Sequence, residues 1–194
     1  MKTVTTAIVT ALCIMLAGGC LYAGAPAGDR TTNRDALVKR GEFLVSFGGC
    51  HDCHSPKVMT PRGPELDPAR VLSGHPAAAT VPAFDKQIVA DGKLVLFTGD
   101  LTACAGPWGM TYAANLTPDD QTGIGLWTED VFIQAMRTGK HMGAGRPILP
   151  PMPWQNLNTL PDDDLKAIFA YLKSLPPVKN PVPAPSSFEV GGSR

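Results

Sequence analysis

Five consecutive residues, Cys50, His51, Asp52, Cys53 and His54, spell CHDCH. Two thiols two residues apart with an imidazole beside the second fit three chemistries: a redox dithiol, half of a zinc site, or the attachment point of a c-type haem. A structural zinc site needs four ligands, yet no second close pair of Cys or His follows, and His75, Cys104 and His141 stand alone. Thioredoxin-like dithiols follow a strand in a βαβ setting, whereas this pair ends a helical stretch. Haem attachment accounts for each residue type. Cys50 and Cys53 can add to the two vinyl groups on one porphyrin edge, and His54 then lies beneath the iron. His51 fills a position with no role in that chemistry.

An iron held by His54 has a sixth position, and its occupant decides between electron transfer and catalysis. Met59 is too close in sequence to reach the opposite face, and Met136 reads as a core residue. Met110 and Met142 lie in Gly-rich loops and remain candidates, as do His75 and His141. Met152 stands out because LPPMPW flanks it with prolines that stiffen the backbone. A rigid loop holds a weak thioether ligand at low entropic cost, so Met152 is the expected second axial ligand.

These residues need elements to position them. Leu37, Gly41, Leu44 and Val45 recur at helical spacing over 33–47, with Asn33 as N-cap and Gly48-Gly49 as the stop, so a helix runs straight into the cysteine cluster. TEDVFIQAMRTG predicts a second helix, capped by Thr128, with Glu129 and Asp130 in its first turn, Phe132, Ala135 and Met136 inward, and Gly139 as its end. A third starts with Pro161 at its first helical position, with three aspartates at its positive end and Leu165, Ile168, Phe169 and Leu172 as its buried stripe; Pro176-Pro177 stop it. From Ser55 to Thr128 little periodicity is visible, apart from KLVLFTG at 93–99 as one short strand. That region reads as long loops, which in a compact domain are usually functional.

At 194 residues the chain supports one domain. Lys2 followed by AIVTALCIMLA has the layout of an export signal, too short to span a membrane. Two exits are open: AGGC ending at Cys20 resembles a lipoprotein signal, which would lipidate Cys20, and Ala25-Pro26-Ala27 offers a small-x-small cleavage site. The expected organisation is a signal and leader over 1–27, one domain over 28–178 and a flexible Pro-rich tail over 179–194. Seventeen Lys and Arg balance seventeen Asp and Glu, which suggests no nucleic-acid surface. Cys50, Cys53 and Cys104 are too few for a disulfide scaffold, and Cys104 reads as a small buried hydrophobe.

Together CHDCH, MPW and LKAIFAYLKSLPPV resemble the class I cytochrome c family over residues 33–178. YAANLTPDDQTGIGLWTEDVFIQAMRTGK is similar to the cytochrome c domains that accompany bacterial periplasmic dehydrogenases. The resemblance implies an all-α, cytochrome c-like fold of three main helices and long loops wrapped around one covalently attached haem c. It also implies that the N-terminal helix crosses the C-terminal one beside the haem, with Gly41 as the small residue at the crossing. Cys50 and Cys53 would be the thioether anchors, and His54 and Met152 the axial ligands. Those dehydrogenase-associated chains often carry two or three CxxCH motifs; this one has a single copy.

The expected function is electron transfer by one haem, cycling Fe(II)/Fe(III) between a donor such as a dehydrogenase and a downstream acceptor. It would act in the periplasm or on the outer face of the cytoplasmic membrane, with redox proteins as partners and no substrate chemistry of its own. Two alternatives stay open. One is a haem enzyme or small-ligand sensor with a displaceable sixth ligand, and the other a non-catalytic subunit whose long loops dock a dehydrogenase.

Overall fold

A computed structural model describes residues 28–188. The expected export signal, its Cys20 exit and the last residues of the tail lie outside them. Helix α1 (Gly28–Phe47) starts earlier than Asn33 and ends at the Gly48-Gly49 pair, where Gly49 takes the left-handed conformation (φ 67°) that glycine adopts without penalty. The chain turns there into α2 (Cys50–His54), one short turn holding the whole cysteine cluster.

Beyond α2 the chain departs from the expected all-α fold, because it forms two small antiparallel sheets. Strands β1 (Lys57–Thr60) and β2 (Gly63–Leu66) make a hairpin with Lys57 opposite Leu66. After the short helix α3 (Gln87–Ala90) come β3 (Leu96–Phe97), β4 (Ala103–Gly106) and β5 (Gly109–Tyr112), a sheet in the order β3-β4-β5. β3 falls inside the expected strand at 93–99; the other four strands replace expected loops. Each of those is four residues long, too short for alternation to show against Gly, Pro and Ala.

Helix α4 (Glu129–Thr138) matches its expected bounds and caps. Thr128 Oγ1 accepts from the Val131 N–H at 3.2 Å, and Gly139 closes the helix at φ 65°. Replacing Thr128 with Ala is expected to remove about 1 kcal/mol of stability, read as a lower urea midpoint at unchanged slope. An unchanged midpoint would show the cap to be idle. After a 3₁₀ turn (His141–Gly143) come α5 (Trp154–Asn158) and α6 (Asp162–Ser174). Pro161 caps α6 from outside rather than occupying its first turn.

The main core lies where α1, α4 and α6 meet. Val45, Phe132, Ala135, Met136, Leu165, Ile168, Phe169 and Leu172 are buried together. Gly41 is the point of closest approach. A Cβ built there would stand 1.9 Å from the Ala167 carbonyl oxygen and 2.8 Å from Tyr171 Cβ, so the crossing tolerates no side chain. Beside it the Arg40 guanidinium grips both Asp164 carboxylate oxygens, at 2.8 and 3.0 Å. A second, smaller core joins Ala103, Ala105 and Met110 of the sheet to Phe84 and Phe188.

Phe188 belongs to the segment expected to be a flexible tail, and up to that residue the tail is docked. Asn180 is buried, its amide donating to the Ser73 and His75 carbonyls at 2.7 and 2.8 Å. Ser186 pairs with Met110 through both backbone groups. The composition of PVPAPSS misleads here because the stretch is held at its two ends by the Asn180 and Phe188 side chains and between them by the Ser186 backbone pair.

Candidate haem site

On α2 the two thiols sit one helical turn apart, which puts them on one face. Cys50 packs against the main core, and both cysteines are free thiols. Burial pushes both thiols upward from their ordinary value. Reactive exchanging dithiols carry the opposite shift. Among the described residues no three His, Cys, Asp or Glu side chains converge on a common position for a bare metal ion.

His54 is buried and held by a ladder of three chain segments. Its carbonyl accepts from Gly74 N–H at 2.8 Å, the Leu72 carbonyl accepts from Leu116 N–H at 2.9 Å, and His75 N–H donates to the Ala113 carbonyl at 2.9 Å. The neighbouring Ser55 hydroxyl, fully buried, accepts from Leu72 N–H at 2.8 Å. Leu72 takes a positive φ of 56°, a strained state for a branched residue, fixed here from both sides by those bonds. The ladder delivers the Ala114 carbonyl to His54 Nδ1 at 2.8 Å.

That bond sets the tautomer. A carbonyl only accepts, so Nδ1 carries the proton and Nε2 keeps its lone pair. Burial, partly opposed by the Ala114 carbonyl, holds the ring's pKa below its ordinary value, so it is neutral at pH 7. A neutral imidazole with one nitrogen tied to a carbonyl and a lone pair on the other is the form in which histidine binds metals. The residues present therefore fit a haem: two free thiols on one face, and an oriented imidazole immediately after the second.

Met152 lies in a separate loop, partly buried. It lines a cleft of about 310 Å³ with Ile148, Pro150, Pro151, Pro153, Trp154 and Gln155. The loop is pinned to β5 by Thr111 Oγ1, which donates to the Pro150 carbonyl at 2.9 Å, and Trp154 packs against Gly139. The structure thus gathers Cys50, Cys53 and His54 on one turn and holds Met152 on a separate, stiff loop.

The other candidates are placed elsewhere. Met59 and Met142 are exposed, and Met110 and Met136 are buried in the two cores. His141 stands edge-on to Trp127 at the surface. His75 is buried with Nδ1 2.7 Å from Thr102 Oγ1, whose own proton goes to Asp100. Cys104 is buried in β4 and its thiol is pushed up to about 11 by burial, an inert hydrophobe as expected.

Two participants are invisible in the sequence. The Ala114 carbonyl is a backbone group, which residue type does not announce. Lys57 sits on β1 directly after the cluster and reaches back over it.

The chain is similar to the cytochrome subunits of several dehydrogenases. The gluconate 2-dehydrogenase cytochrome c subunit of Pantoea cypripedii is 33% identical over 153 residues, 79% of this chain and 26% of its own length. The fructose dehydrogenase cytochrome subunit of Gluconobacter japonicus is 39% identical over 149 residues, 77% of this chain and 23% of its own. The cytochrome c subunit of the quinone-dependent alcohol dehydrogenase of Gluconobacter oxydans is 29% identical over 137 residues, 71% of this chain and 21% of its own. The chain thus spans about a quarter of the length of these relatives. No family model matches it.

Proposed function

We propose that this protein is a single-haem electron carrier of the bacterial cell envelope, taking electrons from a dehydrogenase and passing them to a downstream acceptor. The observation that carries the reading is His54, a buried neutral imidazole whose Nδ1 proton is committed to Ala114 while its Nε2 keeps a lone pair, on the same turn as two free thiols. The names of the relatives support a dehydrogenase as donor.

In this reading Cys50 and Cys53 would hold a haem c by two thioethers, and His54 and Met152 would ligate its iron. The haem supplies a one-electron couple. The chain's own residues do the rest: the Ala114 carbonyl keeps the imidazole in its ligating tautomer, and the proline-braced loop presents the Met152 sulfur. Met/His ligation raises the potential relative to two histidines and leaves no open position, so the protein itself transforms no substrate.

Visible spectra of the purified protein in both redox states, with carbon monoxide added to the reduced form, test the assignment. The wild-type spectrum is expected to resist carbon monoxide at neutral pH, and Met152→Ala to bind it rapidly. Rapid, complete binding by the wild type would overturn Met152 as ligand and favour a small-ligand sensor or haem enzyme.

A further inference from the structure

The Lys57 ammonium is spent in an unusual way. It donates to three backbone carbonyls, those of His51 at 3.4 Å, Asp100 at 2.7 Å, and Asp52. Three acceptors need three N–H groups, which a lysine has only when protonated. Two of those carbonyls belong to the cysteine turn itself, and the third lies on the loop before β4.

No carboxylate lies within ion-pair distance of this ammonium among the described residues. Asp100 contributes its carbonyl, while its carboxylate accepts from Thr98 Oγ1 and Thr102 Oγ1 at 2.7 and 2.8 Å. The charge is therefore fixed by dipoles and left without a direct counter-ion, three residues after His54. Two of its three bonds run to carbonyls of the turn that carries Cys50, Cys53 and His54.

We infer that Lys57 is a positioning and tuning residue, a fixed cation clamped over the cysteine turn that raises the reduction potential of the haem bound there. This rests on the electron-carrier reading. Oxidation adds one positive charge at the iron, and a nearby immobile cation opposes it, so the reduced state is favoured. The same three bonds tie α2 to the sheet, so the clamp also holds the turn in place.

The experiment is a potentiometric titration of the holoprotein and of Lys57→Gln, Lys57→Arg and Asp100→Asn. Lys57→Gln is expected to shift the redox equilibrium toward the oxidised form by about three- to tenfold, the size of a unit charge interaction across a partly screened path. For one electron a tenfold shift is about 59 mV. Lys57→Arg, which keeps the charge, should restore most of the shift, and Asp100→Asn, which removes an opposing charge, should move the potential upward. A merely structural clamp would give none of this sign pattern. An unchanged potential in Lys57→Gln with its haem attached, or no restoration by Arg, overturns the inference. If the Gln variant fails to mature, a potential in Asp100→Asn that does not rise overturns it instead. A wild-type chain without covalent haem overturns the carrier reading and this inference with it.

Discussion

A chain carrying Cys50→Ala and Cys53→Ala together is expected to emerge from the bacterial envelope with no covalent haem, a complete loss rather than a graded one. On the proposed reading each thiol forms one thioether, and the described residues offer no substitute, because the remaining thiol, Cys104, is buried in the sheet and pushed up to about 11 by that burial. Single replacements should leave a one-bond species, weaker in stain and shifted in spectrum. Haem-stained denaturing gels read the result directly. Stain at the wild-type level in the double variant would remove the attachment assignment.

Gly41→Leu should cost about 3 kcal/mol, the upper end for overpacking a tight contact. The first side-chain atom already collides with the Ala167 carbonyl, which is backbone and cannot rotate away. Relief requires α1 and α6 to separate, which opens the core around Val45 and Leu172. Against a typical total of about 5–15 kcal/mol, much of the population margin would go. The denaturant midpoint of the holoprotein measures it. A midpoint equal to the wild type's would mean that the helices do not meet at Gly41.

Much of the site is readable in the sequence because it is local. CHDCH announces itself in five residues, and Thr128, Gly139 and the stripe on α6 follow from rules that act within one turn. What stays hidden depends on long-range pairing. The strands of the two sheets are too short and too small in side chain for periodicity, which is why the sequence alone points to an all-α fold. The Ala114 carbonyl reaches His54 from sixty positions away. Asn180 hides in a proline-rich stretch whose order comes from amide bonds to residues more than a hundred positions earlier. Lys57 reads as a surface lysine because nothing in its type shows that it turns back onto the cluster.

The pairing of α1 with α6 also gives the cysteine turn a remote support. Cys50 rests against a core built largely by α4 and α6, whose residues 162–174 lie more than a hundred positions further along the chain. The wall behind the cysteine turn is thus supplied by a distant part of the chain. Asn180 adds a second remote tie, since it bonds residues 73 and 75. A change that loosens α6 or frees Asn180 therefore reaches the cysteine turn without touching it, through the surfaces that close around it.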